Sequence, residues 1–250
     1  MPNTPNIVDI AALRRSCSQC SLQQLCLPAG ISREDLQHLD ELVRRRRPLS
    51  RGDALFQVGA PLRALYVARQ GAFKTTALSE DGSVQVIGFH LPGELMGLDA
   101  LGGGAHRCDA EALEPAEVCE VPMADLGRVA AQIPSLQQQF LRIIGQSMGR
   151  DQDHLEMMGR RHANERVALF LHNLSERLSR LERSADHITL PMSREDIASY
   201  LGLVIETVSR TFSRLQESGV IAVRGRKVQI LDQARLKLLA HDPEEARARA

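Results

Sequence analysis

A chain of 250 residues, 43% hydrophobic and 25% charged, has room for two domains that each bury a core. No apolar run approaches the about 18 residues of a membrane span, and the first thirty residues hold an aspartate, three prolines and three cysteines rather than a basic stretch followed by an apolar one. A cytosolic chain with reduced thiols is expected. The balanced charge, 31 Lys and Arg against 31 Asp and Glu, hides an asymmetry. Residues 160–250 carry 16 basic against 12 acidic side chains and residues 1–159 carry 15 against 19, which points to a basic C-terminal module.

The stretch CSQCSLQQLC places Cys17, Cys20 and Cys26 within ten positions of a chain with five cysteines. In a reducing compartment such a cluster reads as metal-binding or catalytic before disulfide. Its spacing suits an iron–sulfur cluster and a tetrahedral zinc site equally. Next, Ser32 and Asp35 stand in capping-box spacing ahead of Leu36, Leu39 and Leu42, predicting a short helix. It runs into Arg44–Arg47, read as a solvated element end. From Leu49 to Pro122 the segments ALYVA, GAFKTTAL, VQVIGFHL and AEVCEVP alternate with Gly, Pro and Asp-Gly breaks, the pattern of a sandwich, jelly roll or barrel.

Beyond Pro134 the pattern turns helical. Leu141, Ile144, Met148, Asp151, Leu155 and Met158 follow the a/d repeat of a coiled-coil seam with one aspartate in it. Such a stripe packs either on its own domain or on a second copy of the chain. Glycines at 145, 149 and 159 weaken the helix by about 1 kcal/mol each relative to alanine.

The stretch MSREDIASYLGLVIETVSRTFSRLQESGVIAVRGRKVQIL reads as a winged helix-turn-helix. Ser193 and Asp196 cap a helix with Ile197, Ala198 and Leu201 inside, Gly202 turns the chain, and a second helix runs from about Ile205 to Ser218. Glu206, Ser209 and Arg210 share one face of it, opposite Val208 and Phe212, and have the donor and acceptor character that reads base edges. The hairpin around Arg224, Gly225, Arg226 and Lys227 offers cations for phosphates, with Arg226 and Lys227 assigned to that role.

In this order, CSQCSLQQLC, GFHLPGEL, AEALE, VCEVP, GRDQD and YLGLVIETVSR resemble the FNR-type branch of the CRP/FNR family of bacterial transcription regulators. The resemblance covers nearly the whole chain. It implies an α+β fold: a cysteine-rich cluster-binding arm (1–30), a jelly-roll-like β-roll sensor domain (31–133), a long dimerisation helix (134–161) and a C-terminal winged helix-turn-helix (162–250). It further implies a 4Fe-4S cluster on Cys17, Cys20, Cys26 and Cys119, with Cys108 a bystander, and the E-x-x-S-R reading motif at Glu206, Ser209 and Arg210. Implied partners are double-stranded DNA with an inverted repeat of TTGAT half-sites, a second copy of the chain, and RNA polymerase. Cyclic nucleotide, the ligand of other family members, is not expected: Leu98 and His106 stand where those members place a glutamate and the phosphate-holding arginine, and Arg107 is one position off. The reading is an oxygen-responsive regulator, not an enzyme. One rival is a zinc-stabilised or thiol-redox DNA-binding regulator of the same fold; another, an iron–sulfur electron carrier, leaves the helix-turn-helix without a purpose.

Overall fold

The computed structural model of the protein describes residues 17, 20–32, 35, 36, 39, 43–45, 48–80, 82–159, 162–181 and 184–241. Eight strands build the N-terminal unit: β1 (Arg44–Arg45), β2 (Ala54–Phe56), β3 (Ala64–Gln70), β4 (Phe73–Leu78), β5 (Val84–His90), β6 (Leu95–Met96), β7 (Asp109–Ala112) and β8 (Glu117–Pro122). They form two antiparallel four-stranded sheets, in the orders β1-β8-β3-β6 and β2-β7-β4-β5. The expected β-roll is present.

Strand β3 shows why the roll forms. Alternate side chains of a strand point to opposite faces, and here both faces are covered, so ALYVA is apolar throughout. Ala64, Tyr66 and Ala68 join Phe73, Ala110, Ala112 and Val118 in the core between the sheets. Leu65 and Val67 join Val121 and Leu95 on the outer face, beneath Leu27, Ile31, Leu36 and Leu39 of the cysteine arm and the segment after it. The Ser32 hydroxyl accepts from the Asp35 amide at 3.2 Å, as the capping box requires, and Leu36 and Leu39 are buried. Leu42, Arg46 and Arg47 lie outside the described residues. The arginine run contributes more than an element end: Arg44 and Arg45 pair in β1 with Glu120 and Cys119 of β8.

Helix α1 (Met123–Gln132), which the strand reading passed over, leads to the long α2 (Pro134–Gly159). Leu126, Leu136 and Ile143 of this pair pack on the same outer face. The C-terminal unit comprises α3 (Ala163–Ser179), β9 (His187–Thr189), α4 (Arg194–Leu201), α5 (Ile205–Glu217), β10 (Ile221–Arg224), β11 (Lys227–Ile230) and α6 (Gln233–His241). Its sheet, β10-β11-β9, has one strand more than the hairpin read from the sequence.

This unit covers the second sheet. Val86, Phe89 and Leu113 of the roll share a core with Phe170, Ile197 and Leu201, and Phe89, Phe170 and Tyr200 meet with centroids 5.0–6.1 Å apart. Polar ties flank that contact. Lys74 Nζ lies 3.0 Å from Asp196 Oδ1, the Val86 amide donates to Ser199 Oγ at 2.9 Å, and Arg177 grips Glu94 at 2.6 and 2.9 Å while donating to the Phe89 carbonyl.

Candidate functional site

The arm folds as a string of tight turns. The Cys20 amide donates to the Cys17 carbonyl at 3.2 Å, Gln23 to Cys20 at 3.1 Å and Ala29 to Cys26 at 3.0 Å. These turns bring Cys17, Cys20 and Cys26 to one side, where Cys119 arrives from β8 between its neighbours Val67 of β3 and Arg45 of β1. All four line a single cleft walled by Leu22, Leu27, Leu39, Val67 and Val121. All five cysteines of the chain are thiols rather than disulfides. Burial pushes the Cys26 thiol up to about 12, with further raising by Cys119 and Cys20 and an opposing hydrogen bond from the Leu27 amide.

Beside Arg69, the one described cation lining this cleft, four thiolates would need further positive charge to balance them. A group that brings iron or zinc supplies that charge, so the donor set suits a thiolate-bound centre. Among the described residues no three His, Cys, Asp or Glu side chains are grouped closely enough to hold a metal ion as they stand. The arm is also fastened from below. Gln139 of α2 is buried, and its side-chain amide donates to the Cys26 carbonyl at 3.1 Å. No sequence pattern marks Gln139; it lies outside the heptad stripe.

Cys108 stands apart. It is buried in the core between the sheets and its thiol donates to Asp99 at 3.5 Å. Burial, then Asp99, pushes it up to about 12. Asp99 also accepts from the Arg107 amide at 2.7 Å and pairs with His106 at 3.3 Å. His106 is buried and stacked 3.8 Å from Phe56. In this stretch, a carboxylate and a packed imidazole stand together, held by Arg107 and Phe56.

In α2 the seam stripe divides by position. Leu141, Met148 and Leu155 are 61%, 58% and 72% exposed, Asp151 is exposed, and Ile144 is half-buried. The residues that pack inward are Leu136, Gln139, Ile143 and Met157. Met158 turns toward the helix-turn-helix, where a Cβ on Gly202 would meet its methyl at 2.6 Å. Gly202 also has φ +59°, so this turn needs glycine for both backbone and space. Partial burial raises the Asp151 carboxyl, against Arg150 and His154.

The helix-turn-helix takes its shape from local rules. Ser193 and Asp196 complete the capping box of α4, at 3.0 and 2.9 Å. Arg194 lies 3.3 Å over the Phe212 ring, bracing α4 on α5. With Val208, Thr211, Phe212 and Leu215 buried, α5 turns Glu206, Ser209 and Arg210 to solvent. In the hairpin Arg224 pairs with Lys227 across Gly225, whose φ is +61°. The Arg226 guanidinium reaches back to the Leu190 carbonyl at 2.8 Å and to that of Pro191. Its contacts brace the wing, and Arg224, Arg226 and Lys227 are all exposed at the tip.

The chain matches the Crp-like helix-turn-helix domain over residues 165–239 and the cyclic nucleotide-binding domain over 46–132. It is 44% identical to the transcriptional activator protein Anr of Pseudomonas protegens over 224 residues, 90% of this chain and 92% of that one. It is 39% identical to the fumarate and nitrate reduction regulatory protein of Escherichia coli K12, covering 90% of each. The structure of FixK2 from Bradyrhizobium japonicum superposes with a TM-score of 0.72 at 32% identity, covering 79% of this chain and 96% of that one. These relatives and the helix-turn-helix match define a DNA-binding transcription regulator rather than an enzyme. The chain belongs to the CRP/FNR family of bacterial transcription regulators, in its FNR-type branch. Among the described residues no helix is long and apolar enough to cross a membrane.

Proposed function

We propose that this protein is a cytoplasmic, oxygen-responsive regulator that binds a palindromic TTGAT-type site as a homodimer when Cys17, Cys20, Cys26 and Cys119 hold a 4Fe-4S cluster. The observation that carries the reading is the single apolar cleft shared by the four thiols, fastened to the long helix through Gln139. A bound cluster would supply oxygen-labile iron and the positive charge that four thiolates require. The name of one relative, the fumarate and nitrate reduction regulatory protein, accords with a regulator that answers to oxygen supply.

The chain's own residues then do the coupling. Gln139 ties the arm's backbone to α2, so ordering the arm biases that helix. Leu141, Met148 and Leu155, exposed in one chain, become the apolar seam of two. Asp151 meets its own copy in a parallel pair, and like charges in a drying interface oppose association. The dimer is therefore poised, and a small shift of α2 decides it. Dimerisation sets two α5 helices about one DNA turn apart. Arg210 grips guanine, Glu206 accepts from cytosine or a neighbour, Ser209 assists, and Arg224 and Lys227 hold phosphates while Arg226 secures the wing. RNA polymerase is the partner at the promoter. The β-roll takes no cyclic nucleotide, because Leu98 and His106 stand where other family members place a glutamate and the phosphate-holding arginine.

The test is protein purified without oxygen. Visible absorption with iron and sulfide near four each per chain, and DNA binding that disappears as the colour bleaches in air, are expected. A colourless, air-stable, zinc-loaded protein would establish the rival instead. Asp151→Ala should leave a DNA-binding dimer in air; sedimentation that finds an aerobic monomer, or a tight wild-type apo dimer, removes Asp151 from the switch.

A further inference from the structure

A second cleft, of about 190 Å³, shares the arm but none of its cysteines. Its volume is well beyond the on the order of 15 Å³ that one water needs. Its floor is the turn Leu91–Glu94, where Gly93 at φ +90° lets Leu25 of the arm approach to 3.2 Å of a Cβ position. Its sides are α2 and the end of α3, so arm, roll, long helix and C-terminal unit all meet around it.

The charge in this cleft is one-sided. Arg142 and Arg150 enter from α2, Arg177 from α3 and Arg180 from the α3 cap. Among the described residues the one carboxylate lining it is Glu94, and Arg177 holds that at 2.6 Å. The neighbouring His90 adds no cation, since burial pushes it down to about 4. Arg142, Arg150 and Arg180 thus stand in excess of the described carboxylates lining one concavity, with Arg150 also helping to hold Glu94 ionised. Two of these come from one helix and the third from the end of another, which fixes their spacing. Planar forks so arranged suit phosphate oxygens, and the amides of Gln24 and Gln146 add neutral donors.

We propose that this cleft binds a small phosphate-bearing anion, which bridges the cysteine arm to α2 and α3. Occupancy then stiffens the junction between the thiol cleft and the DNA-reading unit, a second input independent of what the cysteines hold. This proposal does not rest on the iron–sulfur reading.

The test is calorimetric titration of the full-length chain with inorganic pyrophosphate at constant ionic strength. One saturable site per chain is expected. Arg180 is exposed and supports no described core contact, so Arg180→Gln should keep the wild-type melting profile while weakening binding roughly tenfold; Arg142→Gln, which also removes a 3.4 Å bond to the Gln139 side chain, should weaken binding by a similar factor. Arg210→Ala and Lys227→Ala, on the DNA face, should leave it unchanged. A parallel titration with ATP identifies the source: tighter binding than pyrophosphate assigns a nucleotide, equal binding assigns the phosphate groups themselves. Absence of a saturable site, or a site abolished by the DNA-face changes and indifferent to the cleft changes, overturns the proposal.

Discussion

The DNA-reading unit and the thiol cleft are built on opposite plans. The first is one run of chain from Ser193 to Lys227, in which a capping box, a left-handed glycine and helical periodicity determine which side chains face out. The second needs an arm, strand β8 some ninety residues later and a clamp from α2. A contiguous site depends on rules that act within a few residues. A dispersed one exists only once sheet and helix have packed, so it is the part that a change elsewhere can open or close.

The sharpest way to break the comparison is at the strand contribution. Cys119→Ser should remove all bound iron and anaerobic DNA binding, whereas Cys108→Ser, on the other side of β8 in the core between the sheets, should retain both; iron analysis and gel mobility shift decide between them. The reverse pattern would move the fourth ligand.

A smaller loss is expected where the C-terminal unit is latched to the roll. Arg177→Met strands Glu94 at a part-buried site and should cost about 3 kcal/mol of unfolding free energy, measured by urea denaturation. The same latch gives a pH dependence. Burial opposes ionisation of Glu94, but Arg177 outweighs it and holds the carboxyl below its ordinary range. Burial is likewise outweighed at Asp196, by the Ser193 amide and Lys74. A lowered native pKa contributes stability that is present above the ordinary carboxylate value, about 4, and lost as pH falls through the native value. Acid denaturation should therefore steepen below about pH 4, and less so in Arg177→Met.

In the reading head, Arg210→Ala and Glu206→Ala should each cost roughly 1–3 kcal/mol of discrimination between specific and random DNA. Equal loss on both DNAs in competition binding would refute base contact. The smallest effect belongs to the wing. Lys227→Ala should lower the slope of log affinity against log salt by about 1 without altering sequence preference. Arg226→Ala should instead loosen the wing, because its guanidinium holds the carbonyls of Leu190 and Pro191.

Much of this architecture was legible in the residues themselves. The roll showed in short apolar runs between turn signals, α2 in its heptads, and the helix-turn-helix in Ser193, Asp196, Gly202 and the polar face of α5. Helices α1 and α6 and strand β9 were not legible, being short and held by tertiary packing rather than by a strong period of their own. The three clustered cysteines were visible as a motif. Their fourth companion was not: nothing in VCEVP distinguishes Cys119 from Cys108, and only resemblance singled it out.

What the sequence determined by itself, then, is the reading unit and the identity of three thiols, because caps, turn glycines and i, i+3, i+4 spacing act through neighbouring backbone and need no distant partner. Tertiary structure alone decided which strand cysteine faces the arm, that Gln139 clamps Cys26, that Arg226 braces the wing, and that four arginines converge on one cleft. Each of these joins residues far apart in the chain, and such pairs are selected by the burial of shared apolar surface, a property of the packed whole that no local pattern encodes.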